Sequence, residues 1–167
     1  MKTVTTLEQV KAIIAAGPVF VRWSHGPDQD RSDGWQSKNH QTGAFESGMS
    51  VNDFPADGSD YDIYTRLAEY RHIGHPVCYL CRGEVVGTGS DGEPCLTDVV
   101  PVAIVDDALI LGEDQRRLIE RRDYLATALQ KQSLGYDYRR EIDLYKRQVA
   151  ALEAGEKWAW NVERYNK

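Results

Sequence analysis

Apolar residues recur every three or four positions over residues 5–16 (Leu7, Val10, Ile13, Ile14), which predicts an amphipathic helix ended by Gly17-Pro18. The run from Val19 to Ser24 is short, apolar and aromatic, and reads as a strand. Residues 25–47 are rich in Gly, Asp, Ser and Asn without any period, so a loop is expected there. A loop of that length in a compact domain usually serves function. Met49 to Val51 suggests a second short strand, and Asn52 to Ser59 another loop. Ile63, Leu67 and Tyr70 mark a helix from about Asp60 to Ile73, stopped by Gly74-His75-Pro76.

Val77–Leu80 and Glu84–Val86 bracket Arg82-Gly83, which reads as a tight hairpin. A turn from Gly87 to Pro94 then leads into the β-branched run Cys95–Val105, where Pro101 implies an edge position or a bulge. Two helices follow, at 113–132 and 137–154, around Ser133-Leu134-Gly135. Leu118, Leu125 and Leu129 match Ile142, Tyr145, Val149 and Leu152 across an antiparallel αα-hairpin. The fold predicted is therefore α+β: a small mixed or antiparallel sheet with flanking helices, then a C-terminal antiparallel helical hairpin. The domain expected over 1–111 is followed by a hairpin appendage over 112–167, packed on or beside it.

Composition narrows the partners. The chain has 167 residues and a net charge of -6, but residues 113–167 hold 12 Lys and Arg against 10 Asp and Glu. Residues 1–112 hold 8 against 16. So acidic a body disfavours direct nucleic-acid binding, which needs clustered cations. The arginine pairs of the helices alternate with acids and read as solvated faces. No apolar stretch approaches the length of a membrane span. The start reads as an amphipathic helix rather than a signal peptide, so a cytoplasmic location and no membrane are expected. Three cysteines do not make a disulfide framework. The tail KWAWNVERYNK either docks on the protein's own body or joins two copies in a homodimer.

Polar residues inside apolar runs are the candidate chemistry: Arg22 in PVFVRWS, Ser50 in GMSVND, and Glu93 after the glycine-rich turn GTGSDGEP. Such side chains cost desolvation energy unless paired or turned toward a cleft. The plain alternative pairs Arg22 with a core carboxylate, has Ser50 cap a turn and leaves Glu93 solvated. Cys78, Cys81, His72 and His75, with Cys95 nearby, have residue types that suit zinc. Against zinc, cysteines three apart on a strand point to opposite faces, and buried thiols serve as small hydrophobes. His25 with Asp28, Asp30 and Asp33 offers a cation or acid–base cluster in the long loop, or merely solvated acids. Trp23 alternates with Arg22 and is expected in the core, whereas Trp35 could stack a base or nicotinamide ring. Gly87-Thr88-Gly89-Ser90-Asp91-Gly92 spells a dinucleotide fingerprint, but Glu93-Pro94 and a strand follow where a helix is required, so it reads as a turn.

In this order Arg22, Ser50 and Glu93 resemble the arginine–serine–glutamate arrangement of ADP-ribosyltransferases. The resemblance implies NAD as substrate, with Arg22 orienting it, Ser50 bracing the pocket and Glu93 as the catalytic acid. In place of that family's serine-threonine-serine stretch this chain has Met49-Ser50-Val51. A wider pattern (VFVRWSHGP, TGAFESGMSVN, EYRHI, GEVVGTGSDGEP, VVPVA) resembles a family of small actinobacterial proteins with no established activity, over roughly residues 18–105. Ser90-Asp91-Gly92 stands where those relatives carry a proline and an asparagine. Two functions of different class follow. One is an ADP-ribosyltransferase-like enzyme with a small-molecule pocket. The other is a non-enzymatic accessory or inhibitor of phage or mobile-element type, binding a protein partner through its acidic surface or the helical hairpin.

Overall fold

The computed structural model describes residues 1–30, 36–38, 45–55, 58–71, 74–89 and 91–158, with the backbone alone for 36–38 and 45–47. It is α+β, and it divides into two compact units, Met1–Ile110 and Leu111–Lys167. No helix among the described residues is long and apolar enough to cross a membrane.

The first unit is a mixed sheet. Strand β1 (Lys2–Val4) runs parallel to β8 (Pro94–Val105), and β8 is antiparallel to β7 (Val77–Thr88). Strand β7 is antiparallel to β2 (Phe20–Ser24), which pairs in turn with the short β6 (Asn52–Asp53). The two-residue β5 (Met49–Ser50) adds to the far part of β8, while β3 (Gln36–Lys38) and β4 (Phe45–Ser47) form a separate ribbon.

Alternation along these strands gives the sheet two different faces. Val21, Trp23, Cys78, Leu80, Ala103 and Val105 share one core with Leu7, Val10 and Ile13 of α1 (Leu7–Ala15) and Ile63 and Leu67 of α2 (Asp60–Glu69). Both helices begin on capping boxes, Thr6 with Gln9 and Ser59 with Asp62, which satisfy amide donors that a helix start leaves open. Phe20, Met49, Val51, Tyr79, Cys81 and Leu96 form a smaller core on the other face.

Two details depart from the sequence expectations, and at Pro101 the expected bulge is present. Arg82-Gly83 is not a hairpin turn, because β7 runs straight through it and the chain reverses at residues 89–93. Gly83 sits at a register shift, where an added Cβ would lie 2.7 Å from the Thr97 carbonyl oxygen. Arg82 folds back to donate to the carbonyls of Ile13 (3.0 Å) and Ala16 (3.4 Å), capping the C-terminal end of α1. Pro101 lies in an inner strand, yet the β5 and β1 ladders on β8 stop at Leu96 and resume at Ala103, and a bulge falls beside its partner Cys81. Its missing N–H therefore costs no second ladder. The stretch expected to be a loop carries the ribbon β3–β4.

The second unit is an antiparallel pair, α3 (Glu113–Ser133) and α4 (Arg139–Glu153), held by Arg122–Glu153 at 2.6 Å and the Tyr124–Tyr145 ring contact. Gly135, at φ +93, makes the left-handed exit from α3. The expected seam departs at one position, where Ala128 is buried and Leu129 is 46% exposed, while Leu118, Leu125, Ile142, Tyr145, Val149 and Leu152 are all at least partly buried. Trp158 is buried, but against cations, with the guanidinium of Arg121 4.6 Å and that of Arg117 5.4 Å from its ring.

Candidate functional site

Strand β2 places Val21 and Trp23 on the helix-covered face and turns Arg22 to the opposite one. Trp23 is accordingly core, its indole N–H donating to the Leu67 carbonyl at 2.8 Å. Beyond β2 the chain doubles back at once. Gly26, at φ +119, accepts from the N–H groups of Gln29 and Asp30, both at 3.1 Å, and its own N–H donates to the buried Ser24 hydroxyl at 2.9 Å. This turn returns Asp30 over the strand it has just left. The Asp30 carboxylate lies 3.6 Å from Arg22 Nε and accepts the Tyr79 hydroxyl proton at 2.8 Å. Tyr79 stands opposite Arg22 in the β2–β7 ladder.

Arg22 also reaches forward, its Nη1 donating to the Ser50 carbonyl at 2.7 Å. The Ser50 hydroxyl donates to Glu93 Oε1 at 3.0 Å, and the Asp91 N–H donates to Glu93 Oε2 at 2.9 Å. Glu93 is carried by the β7–β8 turn, which closes through Gly89 N–H to the Glu93 carbonyl at 2.7 Å. A Cβ at Gly89 would run into the Glu93 carboxylate, so a larger residue there would displace that side chain. Arg22, Ser50 and Glu93, 71 positions apart at their extremes, thus form one connected polar chain on a half-buried surface.

The plain alternative is partly realised as well, because Arg22 does pair with a carboxylate. Asp30 belongs to the acids expected in the loop, but its side chain is only 8% exposed rather than solvated. Tyr79 was not singled out by the sequence. A tyrosine in the run VCYLC looks like any strand aromatic, and the only hint was its place opposite Arg22 once the strands pair. Burial first, and then the Asp30 hydrogen bond, push the Tyr79 phenol far above its ordinary range. Burial likewise pushes the Cys81 thiol up to about 12 and the Cys78 thiol higher still. These thiols are closed to thiolate chemistry at neutral pH.

The remaining candidates lie apart from this chain. Cys78 and Cys81 belong to the cores of opposite sheet faces, and Cys95 is buried beneath Gly48. His25 meets His75 edge to face at 5.6 Å. Among the described residues no group of three or more His, Cys, Asp or Glu side chains is placed to hold a metal ion. Trp35, Asp33 and His72 lie outside the described residues.

Comparisons with curated proteins and with solved structures each found no match. A family model described as a family of unknown function (DUF6098) matches residues 1–127, which takes in the first unit and stops inside α3.

Proposed function

The chain belongs to that family of unknown function, and from its own residues we propose that the Arg22–Ser50–Glu93 surface binds NAD and cleaves its nicotinamide–ribose bond. The carrying observation is the Ser50 hydroxyl held 3.0 Å from Glu93 Oε1, with Arg22 anchored on the same residue's carbonyl. A guanidinium there suits a diphosphate, because its planar fork matches phosphate oxygens. A carboxylate whose orientation is set by Ser50 and the Asp91 N–H suits a ribose hydroxyl beside a centre that becomes positive. In the reaction the C1′–N bond breaks and nicotinamide leaves with the bonding pair. Water or an acceptor side chain supplies the new bond to C1′, and its proton passes to Glu93 or to solvent.

Asp30 and Tyr79 support this reading by holding Arg22 from behind, so that its position is fixed before a ligand arrives. The test is nicotinamide release from NAD by the full chain. Wild type releases nicotinamide, and Glu93→Gln lowers the rate at least a hundredfold with its melting temperature within a degree or two of wild type. Equal release by both proteins, or none from wild type with water or any acceptor protein, rejects the proposal.

A further inference from the structure

Strand β7 is sheltered along only half its length. Its ladder with β2 ends at Phe20–Cys81, while its ladder with β8 continues to Thr88–Pro94. From Glu84 to Thr88 no strand among the described residues is laddered onto the edge facing away from β8, although β4 and Gly48 lie against β7 beside Val86. Natural edges of this kind are blunted by lysine, by proline or by a covering element. Here the sequence is Glu84-Val85-Val86-Gly87-Thr88, without lysine or proline; a register shift between Val85 and Gly87 is the one such device within it, and Arg82 is drawn off to cap α1. Val85 is 53% exposed, Val86 48%, and Val100 on the neighbouring strand 61%. β-Branched residues fit a pleated surface, and these present theirs to solvent.

Charge selects the occupant. Residues 83–100 carry Glu84, Asp91, Glu93 and Asp98 and no Lys or Arg, within a unit already rich in acids. A second copy laid edge to edge would bring an equally acidic surface, without Lys or Arg, against this one, and that like charge disfavours pairing. We propose that the Glu84–Thr88 edge of β7 docks an extended segment of another protein by β-strand addition. That segment alternates β-branched apolar residues with Lys or Arg. Backbone hydrogen bonds supply the attraction, the exposed valines the apolar contact, and Glu84 and Asp98 the choice of sign. This site adjoins the Arg22–Ser50–Glu93 surface at the β7–β8 turn but uses other residues, and the proposal does not depend on the NAD reading.

The probe is a labelled ten-residue peptide alternating Lys and Val, titrated onto the full chain and read by fluorescence polarisation. Three controls accompany it: a Glu/Val peptide, a Lys/Val peptide N-methylated at alternate positions, and the variant Glu84→Lys with Asp98→Asn. Asn is chosen at residue 98 because φ there is +50, a conformation it tolerates. The Lys/Val peptide should bind, slow amide exchange across residues 84–88, and lose at least tenfold in affinity to each control. The Glu93→Gln protein should bind it as wild type does. Equal binding of the N-methylated peptide would reduce the contact to bulk charge and overturn strand addition. Absence of binding, or a dimer in sedimentation that Glu84→Lys disrupts, would also overturn it.

Discussion

The two faces of the sheet are built from the same strands and do different work. Under α1 and α2, the buried residues of β2 and β7 are apolar or a thiol, namely Val21, Trp23, Cys78 and Leu80, and Arg82 reaches only the end of α1. On the other face the same strands offer Phe20, Arg22, Tyr79 and Cys81, and the apolar cluster is broken by a polar chain from Asp30 through Arg22 to Ser50 and Glu93. A one-residue step along a strand changes face, so Arg22 and Trp23 illustrate the division at its smallest scale. Stability is concentrated on the face where contacts are non-directional. The opposite face accepts desolvated polar groups, each of which must be satisfied individually.

Substitutions on the two faces should separate these roles. The largest effect is expected from Leu80→Ala, at a fully buried position of the helix-covered core. Loss of contacts and the cavity left behind should cost about 2–5 kcal/mol in denaturant melts. Tyr79→Phe, on the other face, should cost about 1–3 kcal/mol, because it removes a partner from a carboxylate that has little access to water.

Tyr79 also links this face to pH. Its folded pKa is raised, as is that of Cys81, so their contribution is complete below the unfolded values, about 10 for a phenol and 8.5 for a thiol. It is lost as pH rises toward the folded values, at about 1.4 kcal/mol per pH unit for each group. Wild type should therefore weaken steadily in alkali, and Tyr79→Phe should flatten the part of that slope above about pH 10. The smallest effect belongs to Ser50→Ala. Removing its half-buried hydrogen bond to Glu93 should cost about 0.5–1.5 kcal/mol in the same melts while releasing the carboxylate from its fixed orientation.

The helices and the central strand were legible because periodicity carries them. Leu7, Val10 and Ile13 recur at helical spacing, and FVRWS alternates. The hairpin falls elsewhere because Gly83 reads in sequence as a turn residue, whereas its lack of a side chain serves a close approach to Thr97. Strand β1 has only three residues before a capping box, too short for any period to show. Arg22, Ser50 and Glu93 could be marked as polar residues in apolar surroundings. The Asp30–Tyr79 support behind them could not, since it depends on a turn at Gly26 that returns the chain onto its own strand and on a register that only pairing reveals.

The central claim is that Arg22, Ser50 and Glu93 act together on one nucleotide, and NAD titration followed by nitrogen-15 NMR tests it most directly. The Arg22 Nε–H resonance and the amides of Ser50 and Asp91 should shift together, with one dissociation constant, and Glu93→Gln should weaken all three alike. Spectra unchanged up to millimolar NAD, or shifts centred away from β2, β5 and the β7–β8 turn, would contradict it.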